Sequence, residues 1–385
     1  MRENHMKILF ALITILATNL SADSLDEMTL DKAQMLMSEG KLTSVELTQY
    51  YLDKIKQYDK KLKSVGQVNN HALKDAERLD RERKSGHVRG PLHGVPVLIK
   101  DNIATADGMA NTAGSLALKN NFPDKDAFLI QKLRQSGAII LGKANLSEWA
   151  NFRSEKSRSG WTGLYGQSRN PYNLSKSPCG SSSGSGIATA ANLTLLAIGT
   201  ETDGSVTCPS AVNGIVGIKP SLGLVSRSGI IPLAHSQDTA GPMARTVTDA
   251  VMLLEVMAGY DKHDPASKKL PTNFHQYLKK NGLKGKRIGI VRNLMGYDNG
   301  VDELFEQQIK RLKDQGAIIV DKANIETVGK WDDDEYQVLL MEFKTDINNY
   351  LKNKPELKVH SLSDLIAFNI KHKKQEMPLF GQDIF

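Results

Sequence analysis

The sequence is poor in the residues that mark several large protein classes. Two cysteines in 385 residues, Cys179 and Cys208, are too few for a disulfide framework, and no Cys/His spacing matches a zinc site. Aromatics make up 6%, and the basic residues are scattered apart from one cluster at Lys371, His372, Lys373 and Lys374. A nucleic-acid channel interleaves clustered basic residues with aromatics, so the formal charge of +7 reads as solvated surface and nucleic acid is not an expected partner. No apolar run reaches the roughly 20 residues of a membrane span. The phosphate-loop pattern G-x-x-x-x-G-K-[ST] is missing. With 40% hydrophobic and 24% charged residues, disorder and coiled coil are excluded as well. The length is enough to bury a large core without crosslinks or metal.

The first residues read as an address. Arg2 and Lys7 precede the apolar run 8–17, which meets the small pair Ser21-Ala22 and the acidic stretch 23–27. That order is the layout of a secretory signal peptide over residues 1–22, with cleavage after Ala22. It predicts an exported protein, periplasmic or secreted, with no stable membrane anchor once the leader is removed.

Residues 28–86 have helical texture. Thr29 caps a helix running to Gly40, and Thr43-Ser44-Val45-Glu46 has capping-box spacing before Leu47, Tyr51, Ile55 and Tyr58 on one face. A third helix spans 72–84 and stops at Gly86. From residue 87 the texture changes to short apolar runs at 95–99, 138–141, 195–198 and 215–218, broken by Gly and Pro and separated by helical stretches. This predicts an α/β class with a buried sheet. A helix is expected over 243–260, carrying Arg245 and Asp249 as an ion pair one turn apart. Beyond 261 a strand at 287–291 precedes an amphipathic helix at 301–315. Residues 133–140 and 312–319 echo each other as helix-turn-strand units.

The chemistry gathers in three places. The loop Ser177 to Gly186 offers N–H groups and hydroxyls without bulk, directly before an apolar helix. Within it Gly180-Ser181-Ser182-Ser183-Gly184 matches G-x-S-x-G, which would make Ser182 a nucleophile served by a later His and acid. A second turn, Gly199 to Ser205, follows an apolar strand and suits an oxyanion, with Ser205 at its end as the other candidate nucleophile. Lys100 closes the apolar strand 95–99, where burial would lower its pKa toward a neutral base. Cys179 and Cys208 flank the two turns; a bridge between them would suit an exported protein, and buried thiols are the expected state.

These motifs, together with Gly94 to Asn102, Thr112-Ala113-Gly114-Ser115, Gly142 to Trp149 and Asp238 to Arg245, occur in the order of the amidase signature family. The resemblance covers residues 28–385, and the two serine-bearing segments look most like its peptide amidase branch. It implies one domain over 23–385 with a mixed twisted sheet covered by helices: a helical region 28–86, a catalytic core 87–260 and a peripheral α/β region 261–385. It implies a Ser-Ser-Lys triad of Lys100, Ser181 and Ser205, with a cis Gly180–Ser181 bond and Ser182 in support. The N–H groups of Thr202, Asp203, Gly204 and Ser205 would hold the oxyanion. No metal or cofactor is expected, and the partner is a small-molecule or peptide amide. The glutamine-hydrolysing subunit of a tRNA-dependent amidotransferase and an inactive relic are the alternatives. Family members continue further than Phe385, so a missing C-terminal segment or a second polypeptide is also expected.

Overall fold

The computed structural model describes residues 25–385, and the expected leader lies outside them. Three helices come first. Helix α1 (Leu30–Ser38) is capped by Thr29, and α2 (Ser44–Leu62) by Thr43 in a full capping box with Glu46. Strand β1 (Val65–Val68) leads to α3 (Ala72–Lys84). Leu47, Tyr51 and Ile55 of α2 are buried as their spacing predicts, whereas Tyr58 is exposed.

The central sheet is built from β1 with β2 (Pro96–Lys100), β3 (Ile139–Ala144), β6 (Leu196–Glu201), β7 (Val216–Gly217) and β8 (Thr239–Ala244). Between β3 and β6 the chain makes a short hairpin of β4 (Trp161–Thr162) and β5 (Gly166–Gln167). The order across the sheet is β1-β3-β2-β6-β8-β7. Strands β3, β2 and β6 are parallel, and the outer strands pair antiparallel to their neighbours. Every residue of β2, β3, β6 and β8 is buried. Unbroken apolar strands are what a sheet covered on both faces requires. Helices α4 (Phe128–Gln135), α5 (Ser183–Ala190), α6 (Thr207–Val212) and α7 (Val247–Met257) accompany it.

Strand β8 was not expected, because Gly241 and Pro242 interrupt its pattern. The Pro242 carbonyl accepts from Ile218 N–H at 3.2 Å, so its nitrogen faces the same side. There β7 has already ended at Gly217, and no ladder bond is asked of the proline. The helix expected from 243 therefore begins only at Val247, where Thr246 caps it. Arg245 and Asp249 do not pair. Arg245 donates to the carbonyls of Met28, Thr189 and Thr194, while Asp249 accepts from Leu30 N–H at 3.0 Å. Both tie the N-terminal helices to the sheet, because buried backbone groups at the start of α1 need partners more than these two side chains need each other.

Helix α8 (Asn299–Asp314) joins β9 (Arg287–Gly289) to β10 (Ile318–Val320), which pair in parallel apart from the main sheet. The sequence echo is thus the same unit used twice, α4 into β3 and α8 into β10. Val301, Leu304, Phe305 and Ile318 on the second unit are exposed. Helices α9 (Asp332–Lys352), α10 (Leu362–Lys371) and α11 (Lys373–Glu376) complete the described chain. A second apolar cluster joins Phe343, Ile347 and Leu365 to Trp149 and Phe152. Beside it the buried Glu376 accepts from Leu116 N–H at 2.6 Å and Ser115 Oγ at 3.2 Å, and Arg153 packs between Glu148, Trp161 and Phe380.

Candidate active site

The central strands bring the three chemical segments together. Lys100 ends β2, whose neighbour β6 carries Thr200 and Glu201 into the turn Thr202–Ser205. Gly199 to Glu201, read from sequence as part of that turn, is strand. The serine loop runs alongside and enters α5 at Ser183. A Cβ at Gly184 would stand 2.2 Å from Ser64 O and 2.3 Å from Asn145 O, so only glycine lets the helix start this close to the sheet.

The Gly180–Ser181 peptide bond is cis, and Ser181 Oγ lies 2.7 Å from Lys100 Nζ. Lys100 is fully buried, with two further partners, Thr200 Oγ1 at 2.8 Å and Thr200 O at 3.1 Å. Burial pushes its pKa down from 10.5 to about 7, against the opposing charges of Asp238 and Glu201. A neutral amine has two N–H donors and one lone pair. Thr200 offers two acceptors and Ser181 an O–H, so the three contacts suit the neutral form.

Lys143, in the adjacent strand β3, is a second fully buried lysine, lowered to about 8 by burial with the Asp101 charge opposing. It donates to the carbonyl of Ile103 and meets no serine. Geometry therefore separates the two amines.

Ser182 is buried, its hydroxyl donating to Thr200 O at 3.0 Å and accepting from Thr200 N–H at 3.1 Å. Its own N–H donates to Ser205 O at 3.1 Å. Ser182 thus stitches one turn to the other with its hydroxyl occupied. Among the described residues Ser205 Oγ has no hydrogen-bond partner, and Ser205 is 8% exposed.

Of the four N–H groups expected to face an oxyanion, that of Gly204 donates to Glu201 Oε1 at 3.1 Å. The expectation is corrected at that residue. A buried carboxylate needs donors, and Glu201 also takes Val206 N–H at 2.7 Å and Thr207 N–H at 2.8 Å. The N–H groups of Thr202, Asp203 and Ser205 have no partner among the described residues.

Sequence reading missed the residues that brace this turn. Asn102 donates to Thr200 Oγ1 at 2.9 Å, Lys219 donates to Thr202 O at 2.6 Å, and Asp238 accepts from Thr202 Oγ1 at 2.6 Å. Asp238 also accepts the N–H groups of Leu233 and Ala234, and burial raises its pKa. Asn102 and Asp238 stand inside motifs quoted above, but nothing in their spacing showed which strand they would face. A cavity of about 480 Å³ opens beside Asn102, Thr200 and Thr202, walled by Ile231, Leu233 and Tyr350.

Cys179 and Cys208 are bridged, with Cα atoms 6.0 Å apart, and the expectation of buried thiols is overturned. The residues flanking the two turns face each other because Ser182 and Ser205 are bonded through their backbones.

A family model described as Amidase matches residues 46–378. A probable amidase of Arabidopsis thaliana is 44% identical over 377 residues, covering 95% of this chain and 72% of that protein. A glutamyl-tRNA(Gln) amidotransferase subunit from Streptomyces avermitilis is 40% identical over 289 residues, covering 74% of this chain and 56% of that protein. The crystal structure of native peptide amidase from Stenotrophomonas maltophilia superposes with a TM-score of 0.90 at 50% identity, covering 93% of this chain and 74% of that one. By its sequence and its fold, the chain belongs to the amidase family.

Proposed function

We propose that this amidase hydrolyses peptide amides through an acyl-enzyme on Ser205, with Ser181 as proton bridge and Lys100 as base. The observation that carries the reading is the buried Lys100 amine, held at 2.7 Å from Ser181 with its other two contacts on Thr200. Ser205 Oγ closes onto Ser181 when substrate is bound, since catalytic hydrogen bonds commonly tighten only in the complex. Lys100 then takes the Ser181 proton, Ser181 takes the Ser205 proton, and Ser205 Oγ forms a bond to the amide carbon. The carbonyl electrons move onto oxygen, which faces the N–H groups of Thr202, Asp203 and Ser205. One such donor is worth about 3 to 4 kcal/mol. On collapse the C–N bond breaks and the departing nitrogen receives the proton through Ser181. Water attacks the ester by the same relay in reverse, returning the proton to Ser205. Each of these steps is served by the chain's own groups.

Peptide amides are the substrate class because half the residues match a peptide amidase over most of both chains. Export is part of the proposal, supported by the order of residues 2–22 and by the Cys179–Cys208 bridge, which persists in oxidising compartments. The test is ammonia release from peptide amides, aliphatic amides and glutamine in parallel. Peptide amides should lead, and Ser205→Ala should abolish release. Glutamine as the preferred substrate would favour the amidotransferase reading instead.

A further inference from the structure

Lys219 follows Ile218, whose N–H bond to Pro242 O fixes the local backbone against β8. From there its ammonium donates to Thr202 O at 2.6 Å and stands 3.8 Å from Glu201 Oε1. The side chain is 36% exposed, yet its short contact is directed inward onto a carbonyl. The neighbouring Glu201 carboxylate is already occupied by the N–H groups of Gly204, Val206 and Thr207.

The Thr202 carbonyl and the Asp203 N–H belong to one peptide group. Resonance links the two ends, so a cation on the oxygen withdraws electron density from the nitrogen and makes its N–H a stronger donor. Resting on the reading of Ser205 as nucleophile, we propose that Lys219 is a positioning residue for catalysis. It holds the Thr202–Asp203 peptide with its N–H toward the oxyanion and polarises that N–H from behind. Glu201 and Lys219 then divide the work: the carboxylate shapes the turn through three N–H groups, and the ammonium acts on the Thr202–Asp203 peptide, whose N–H has no partner among the described residues.

The contribution belongs to the transition state. Removing an oxyanion donor outright costs about 10²- to 10³-fold, and polarisation through a neighbouring bond is roughly 10–30% of a hydrogen bond's strength. Loss of Lys219 should therefore slow acylation about twofold to eightfold.

The test compares the unaltered chain with Lys219→Met, which keeps most of the aliphatic stem, and Lys219→Arg, which restores a cation. Turnover of a peptide amide is measured beside inhibition by a peptide trifluoromethyl ketone, which captures a serine as an oxyanion. The dissociation constant of the same peptide amide is measured in Ser205→Ala with and without Lys219→Met. The expected result is a fall in kcat and in ketone affinity by the same factor, unchanged amide binding, and recovery in Lys219→Arg. Equal ketone affinity in Lys219→Met, with Ser205 still labelled, would overturn this inference alone. Equal losses of ketone and amide binding would make Lys219 a structural brace and overturn it too. Labelling of a residue other than Ser205 in the unaltered chain would overturn both this inference and the reading beneath it.

Discussion

Lys100 Nζ and Ser181 Oγ lie 2.7 Å apart although 81 positions separate them in the chain. The contact exists because β2 and β6 are parallel neighbours, so Lys100 and Thr200 stand at the same end of the sheet. The serine loop is pinned to Thr200 by Ser182. Lys100, the serine loop and the turn, from three distant segments, are thereby held by one pair of strands.

Protonation of Lys100 should shut the reaction down. With its pKa lowered to about 7, the amine is neutral above that pH and charged below it. The value of kcat/KM for a peptide amide should therefore rise tenfold per unit as pH approaches 7 from below, then level off. Lys100→Ala should remove this limb and about 10²- to 10⁴-fold of the rate. A pH–rate profile of the two proteins checks both points.

Glu201→Gln replaces one carboxylate oxygen by an NH₂ facing N–H groups that now donate to it. The turn should loosen, with a stability loss of about 1.5 to 3 kcal/mol for a charge-assisted bond. Denaturant melting and turnover should fall together.

Ser182→Ala removes a hydroxyl that both donates to and accepts from Thr200. Thr200 O keeps its bond from Lys100, but leaving the buried Thr200 N–H unsatisfied should cost about 1 to 3 kcal/mol of stability. Activity should drop yet persist, because the hydroxyl proposed to attack is elsewhere. Residual ammonia release at a temperature where the variant is folded is the check.

Much of the fold is legible in the sequence, and the parts that are not have physical reasons. Buried strands show as apolar runs and capped helices as Ser/Thr with Glu three residues on, so β2, β3, β6 and the first three helices could be read directly. Strand β8 was hidden because a proline tolerated at an unpaired position looks, in sequence, like a proline that ends a strand. Lys219, Asp238 and Glu201 act through contacts across 17, 36 and 5 positions, and nothing in local spacing reports which carbonyl or N–H they will meet. The cysteine bridge leaves no mark on local spacing for the same reason, since it follows from the approach of two turns.

That bridge closes a separation of 29 residues around both serine-bearing turns. The chain-entropy account gives it about 3 to 4 kcal/mol. Cys179→Ser with Cys208→Ser should lower the melting midpoint accordingly, and reduction of the unaltered protein should reproduce the shift. Calorimetry with and without reductant measures it.

In the proposed reaction Ser205, aligned by Ser181 and Lys100, carries the acyl group. Mass spectrometry of the unaltered chain trapped with a fluorophosphonate or an activated amide, followed by peptide mapping, tests it most directly. One adduct is expected, on Ser205, formed more slowly as pH falls below about 7 and absent from Ser205→Ala. An adduct on Ser182, or one whose rate is unchanged in Lys100→Ala, would contradict it.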